Sequence, residues 1–443
     1  MTAVEKRRLP RRLVPRRAPL GRDFGRFWLG QTVSALGSSF TRFALPLLVF
    51  RLTGSAMSLA TALAAGFLPY PLLGLLLGAW SDRLKRRRLM IRTDVARAAV
   101  IATVPALAAA GALSVWWIYG VAFAQTTLSI LFDAGRSAAL QRLVASDSLV
   151  AANGRLQAGS ACVELAGPPL VGAAVLVLPL AGVLVADAAS FLVSALSLAT
   201  IGADFGGGAE RAARRLRAEI GEGLRCALAR PEIRNVALML AAATFLYAPA
   251  SAELVLFGKE RLQASDSELG LLFGAGSLGS LLFALLAPVL TRRLGFAVRT
   301  FGVAALKGLL LIGFAAAASF WLGAAIWLLV LGFGTLFSIS SEAQLQTLVP
   351  NELMGRVRST VTVLSWSLIP IGTLLGGLLV EASGRPRLLY ALAGGGITLV
   401  ALCFLALSAR RLPSLLAPAR PARTEPEPSR GAAGGGTVAL DEG

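Results

Sequence analysis

The sequence predicts an all-α polytopic membrane protein, with about twelve transmembrane helices in two pseudo-symmetric six-helix bundles. Three observations carry that expectation. Of the 443 residues, 56% are hydrophobic and 15% charged, with a mean hydropathy of +0.70. Soluble domains run at about 45–50% apolar and about 25% charged. Uncharged runs such as LATALAAGFLPYPLLGLLLGAW and LLYALAGGGITLVALCFLAL reach about 20 residues, enough to cross ~30 Å of hydrocarbon at ~1.5 Å per residue. The chain also matches itself at a shift of about 205–210 residues.

Taken in order, residues 1–23 form a basic arm carrying Lys6, Arg7, Arg8, Arg11, Arg12, Arg16, Arg17 and Arg22. The arm lacks a short apolar region with a cleavage site, so no removable signal peptide is expected. Residues 24–201 hold six spans, near 25–50, 57–80, 89–110, 114–135, 155–177 and 180–201. Residues 202–233 (ADFGGGAERAARRLRAEIGEGLRCALAR and its flanks) read as a linker containing a basic amphipathic helix suited to a lipid surface. Residues 234–409 hold six more spans, near 235–257, 268–290, 298–317, 320–341, 357–380 and 387–408. Residues 410–443 are rich in Pro, Gly and charge without apolar periodicity, and read as a disordered tail.

Bases set the orientation. They crowd the arm, the loop after the second span (Arg83, Lys85 to Arg88), the linker and the start of the tail, whereas AGALSVWW, VLPLAG and AAASFW have none. Both termini are therefore expected in the cytoplasm of a cell-membrane protein. The net charge of +19 is accounted for by these span ends and anionic lipid, so a nucleic-acid partner is not expected. No His is present and the three Cys are scattered, which argues against a metal centre or disulfide frame. No P-loop, HExxH or nucleophile constellation supports ATP drive or enzymatic chemistry, and no cofactor is implied.

The repeat aligns LFDAGRSAALQRLVASD at Leu131 with LFSISSEAQLQTLVPNE at Leu336. In that register Gly167 and Gly172 fall on Gly372 and Gly377, and SDRLKR falls on TRRLGF, with Arg292 at the place of Asp82. Parallel repeats of this kind build transporters with a site between the halves.

The loop GAWSDRLKRRR resembles the signature G-x-x-x-D-R-x-G-R-R/K of the major facilitator superfamily. Gly78, Asp82, Arg83, Arg86 and Arg87 match, while Lys85 replaces the signature Gly. The resemblance implies that Asp82 contacts the side of helix eleven and helps to gate the cytoplasmic end. GSACVELAGPPLVGAAV in the fifth span resembles the antiporter pattern ending G-P-x-x-G-G, with Gly167, Pro168 and Gly172 matching. It implies a close-packed bend between the halves and favours export over uptake. AALQRLVASDSLVAANG, LVADAASFLVSAL and QTLVPNELMGRVRS are similar to the enterobactin-exporter-like and macrolide-efflux-like branch. That branch implies a monomeric, proton-driven exporter of a small molecule, either drug-like or a siderophore. Proton-coupled uptake and a non-transporting receptor on the same fold stand as the alternatives.

Ionisable residues inside spans are candidates for function, because each costs a few kcal/mol to insert. Glu164 lies about ten residues into the fifth span, ~15 Å deep. Burial there would suit it to proton uptake and release, and it is the proton-coupling candidate. Arg42 and Glu253 lie in the outer parts of spans one and seven, which the resemblance sets face to face. They are expected to pair when the outer mouth closes. Asp94 with Arg97, and Asp133 with Arg136, are i, i+3 pairs near the cytoplasmic end and are expected to form a gating network. Asp187 reads as structural, and Lys307 sits in a peripheral ninth span with no assigned role. Trp327, Phe337, Trp366 and Tyr247 fall on spans that line a cavity in such a fold.

Overall fold

The structure, a computed structural model, describes residues 21–81, 84–145, 148–203, 205, 225, 231–291, 295, 297–349 and 351–411. Asp82, Arg83, Arg292, the first twenty residues, nearly all of the linker and the tail beyond Arg411 lie outside the described residues. Among those described, all regular structure is helical. The helices are α1 (Arg22–Thr53), α2 (Ala56–Phe67), α3 (Pro69–Ser81), α4 (Arg86–Ala109), α5 (Val115–Leu143), α6 (Leu149–Ala174) and α7 (Val183–Ala199). The second half follows with α8 (Pro231–Ala252), α9 (Leu254–Glu260), α10 (Asp266–Thr291) and α11 (Val303–Ala316), the last preceded by a π-helical turn, Val298–Gly302. It ends with α12 (Phe320–Leu348), α13 (Asn351–Ser383) and α14 (Pro386–Arg411).

Joining α2 to α3 and α8 to α9 gives twelve antiparallel crossings, each coinciding with one of the expected spans. Nine helices among the described residues are long and apolar enough to cross a bilayer. The other crossings are α4, which carries Arg92, Asp94 and Arg97, then α6, and the 17-residue α7. Short polar residues mark the helix starts: Ser55 accepts from the Ser58 N–H, Ser114 from the Trp117 N–H, and Ser319 from the Leu322 N–H. Ser114 and Ser319 begin the fourth and tenth crossings, 205 residues apart, so the repeat extends to helix caps.

We call the end where α1 starts the basic end and the opposite one the far end. Within the first half, α7 packs on α1 and α4, and α5 on α2, α3 and α4. Within the second, α12 packs on α10 and α11, and α14 on α8 and α11. The main contacts between halves are α2 with α13 and α6 with α10. The closest approaches, Gly172 to Gly270 and Gly377 to Ala60, lie at the far end, and among the described residues α5 and α12 make no substantial contact. Among the described residues, the bundles meet closely at the far end and have no comparable contact at the basic end, where the structure is read as open.

The close contacts depend on glycine. A Cβ built on Gly270 would lie 2.7 Å from the Gly172 Cα, and one on Gly377 would lie 2.5 Å from the Ala60 Cβ. Backbones meet there without side chains between them, as in small-residue membrane interfaces. Gly172 and Gly377 are also the repeat-related pair. One pseudo-twofold therefore turns the α6–α10 contact into the α13–α2 contact.

Candidate functional site

The first bundle holds a buried charge cluster built on three helices. Asp94 of α4 is fully buried; no well-formed hydrogen bond reaches its carboxylate, and the Ser194 hydroxyl of α7 is the polar group that stands beside it. Its nearest cation is Arg97, one turn along the same helix, at 3.7 Å. The Arg97 guanidinium lies 4.0 Å from the centre of the Phe191 ring on α7, where cation–π attraction replaces part of its lost hydration. Asp187, also on α7 and 1% exposed, adds a second carboxylate to the field around Arg97. Thr41 of α1 and Ser190 donate hydrogen bonds to Asp187. Two buried acids therefore share one buried arginine, and these three buried groups balance in charge only when one acid carries a proton; exposed Arg42 also acts on Asp187, and the Asp133–Arg136 pair on Arg97.

Beside this cluster, the first bundle holds a polar recess. Arg97 lines this recess, of about 130 Å³, together with Gln31, Thr32, Ser129, Asp133 and Arg136. Drug-sized ligands occupy roughly 300–1,000 Å³, so this recess within the first bundle is too small to be a whole substrate site. Asp133 and Arg136 pair at 3.1 Å on its rim. Both expected i, i+3 pairs form, but Asp94–Arg97 lies inside the bundle and only Asp133–Arg136 reaches the surface.

Glu164 is exposed on α6, one turn from Ser160 on the recess wall, so the expected burial is absent. Arg42 and Glu253 are not brought together. The far end is closed, yet among the described residues no ion pair joins them, and Arg42 is exposed while Glu253 is wholly buried. Pro249 precedes the joint between α8 and α9, and Glu253 sits in that joint with both carboxyl oxygens unpartnered. The charges acting on it, Glu381 and Glu260, are both acidic.

Other residues latch the far end. Arg51, at the end of α1, and Lys259 both pair with Asp266 at the start of α10, Lys259 at 2.5 Å. Glu381 of α13 accepts from the Ser55 hydroxyl at 3.1 Å and the Met57 N–H at 3.5 Å, an acid placed at the positive end of α2. Ser267 donates to the Gly172 carbonyl at 3.2 Å. None of these latches was read from the sequence. Their only signal in the sequence is the register that places Gly172 at a repeat position.

At the basic end, Gly78 lies in α3, and Arg86 starts α4. Arg87 is engaged within the first bundle, donating to the Leu198 carbonyl at 3.0 Å and to that of Ala199. It thereby caps the last turn of α7 and does not reach toward the second bundle. Gly167 packs against Ser39 of α1, and Pro168 and Pro169 lie in α6 beside α10. The aromatic expectations divide. Trp327 and Phe337 are buried, whereas Trp366 meets Tyr70 across the bundles at 4.8 Å. Lys307 turns into the second bundle, its amine 3.9 Å from the centre of the Tyr247 ring, and Gly334 leaves it room.

The comparisons with known proteins agree with this architecture. The family described as "Transmembrane secretion effector" matches residues 16–430. A multidrug efflux pump, Tap, of Mycolicibacterium fortuitum is 30% identical over 381 residues, 81% of this chain and 89% of that protein. Macrolide efflux protein A of Streptococcus pyogenes is 26% identical over 178 residues, 40% of this chain and 44% of that one. Among solved structures, a bacterial homologue of the iron transporter ferroportin in its inward-facing state superposes with a TM-score of 0.68 at 19% identity. It covers 88% of this chain and 99% of that chain, a likeness of fold. The chain is thus a membrane transporter with the major facilitator fold, and it belongs to the transmembrane secretion effector family, an efflux branch of that superfamily.

Proposed function

We propose that this protein exports a small molecule, drug-like or siderophore-like, across the cell membrane in exchange for protons. It works as a monomer with both termini in the cytoplasm, its bundles (24–201 and 234–409) rocking about the linker 202–233. The observation that carries proton coupling is the sharing of Arg97 by the buried acids Asp94 and Asp187 beside the polar recess. A proton on either acid balances these three buried groups. A cationic group entering the recess near Asp133 adds positive charge to the same field and favours release of that proton. Competition between proton and substrate for one charge balance is what antiport requires. Glu164, exposed one turn from Ser160, supplies a further carboxylate to the substrate path. The names of the two efflux relatives support export and a drug-like cargo.

The test is purified protein in liposomes loaded with a fluorescent cationic dye. An imposed pH gradient, acid on the far-end side, should drive dye toward that side, and an uncoupler should abolish it. Dye movement unaffected by the gradient would remove the antiport reading. Movement of dye and protons in the same direction would replace it with uptake.

A further inference from the structure

We propose that the groove between α3, α4 and α5 at the basic end binds an anionic phospholipid. Lys85, Arg88 and Arg92 stand three and four residues apart, so they share one face of the start of α4. All three are exposed, and among the described residues they form no ion pair or side-chain hydrogen bond. Their neighbours differ: Arg87 is spent on the end of α7, and Arg97 and Arg136 each have a carboxylate.

The three bases rim a groove of about 620 Å³ whose floor is apolar, with Leu89 and Ala96 from α4 and Leu128 and Leu131 from α5. Trp80, 52% exposed, stands at its mouth, the place aromatic residues take at the level of lipid headgroups. From Lys85 to Ala96 the groove rises ~16 Å along α4, from the charged end toward the middle of the crossing. Three uncompensated cations above an apolar channel match a phosphate headgroup above an acyl chain. A free anion or a nucleic acid would use the bases and leave the channel idle. Fixing topology needs bases at this end but does not require them above a groove. The site shares no residue with the Asp94–Arg97–Asp187 cluster and stands whether or not transport is proton-coupled.

The test is native mass spectrometry of the full-length protein titrated with phosphatidylglycerol or phosphatidylcholine. The wild type should retain one tightly held phosphatidylglycerol that phosphatidylcholine does not replace. The triple variant Lys85→Gln, Arg88→Gln, Arg92→Gln should weaken that binding roughly a hundredfold, since each base adds to the attraction of an anionic headgroup. A control changing Arg142 and Arg155, exposed bases at the same end, should leave it intact. If the triple variant fails to insert, Ala96→Trp keeps every base but fills the groove, and it should also expel the lipid. Equal loss in the control would mean diffuse surface attraction and overturn the proposal. So would full lipid retention in Ala96→Trp, or displacement by millimolar inorganic phosphate.

Discussion

At the scale of single residues, Asp94 and Arg97 are not equivalent in what their removal costs. Without Asp94, Arg97 keeps Asp187 in its field, and an Asn at 94 replaces a buried charge with a neutral group of the same shape. Without Arg97, Asp94 loses its paired cation and Asp187 keeps only the field of exposed Arg42. Removing one partner of a buried charged set typically costs ~3–5 kcal/mol, because the other is left uncompensated. Arg97→Met should therefore unfold at clearly lower temperature in detergent than Asp94→Asn, which should remain near wild type. Asp94→Asn should still bind dye yet lose the pH dependence of its export in liposomes. Equal melting temperatures for the two variants would mean that Arg97 does not hold the acids together.

At the scale of helices, closure of the far end depends on backbone meeting backbone at Gly172 against Gly270, and on Gly377 against α2. Gly172→Leu or Gly377→Leu should force these helices apart at a cost of ~1–3 kcal/mol and hold the far end open. Gly313→Ala, which meets nothing within 4 Å, should be silent. Reactivity of a single cysteine placed at Ala60 toward an impermeant maleimide reads the difference: high in the Leu variants, low in wild type and Gly313→Ala. How much of this the sequence discloses depends on the kind of signal. The crossings and their repeat are legible, because apolar length and base placement are one-dimensional patterns. Gly167, Pro168 and Gly172 are legible as a motif, but their partner Gly270 is not, since no local pattern names the helix on the other side. Inward-facing side chains are the hardest. A helix that is apolar all round has no stripe to mark its inner face. Glu164 therefore read as buried and is exposed, and Lys307 read as peripheral and sits over Tyr247.

At the scale of the whole molecule, closure of the far end is a balance between latches that join the bundles and a charge the closed form cannot accommodate. Arg51 on Asp266, and Glu381 on the start of α2, favour closure, while Lys259 holds Asp266 from within the second bundle. Glu253 is expected to oppose it as long as it is ionised: it is 0% exposed, its carboxyl oxygens accept no hydrogen bond, and its titratable neighbours are Glu381, Glu260 and the phenol of Tyr390. An uncompensated buried carboxylate costs several kcal/mol, so closure is linked to its protonation. The sign follows: acid on the far side favours the closed form, and alkali favours opening. In an exporter that direction is productive, since a proton taken up from outside resets the empty carrier to face inward. Spin labels at Ala112 and Arg385, exposed far-end positions on opposite bundles, should report a shorter distance as pH falls. Glu253→Gln should give the short distance at every pH. Asp266→Asn with Glu381→Gln should lengthen the distance at every pH while keeping its shortening as pH falls. A Glu253→Gln protein whose label distance still moves with pH would place the proton-linked step elsewhere, with the Asp94–Asp187 cluster the next group to test.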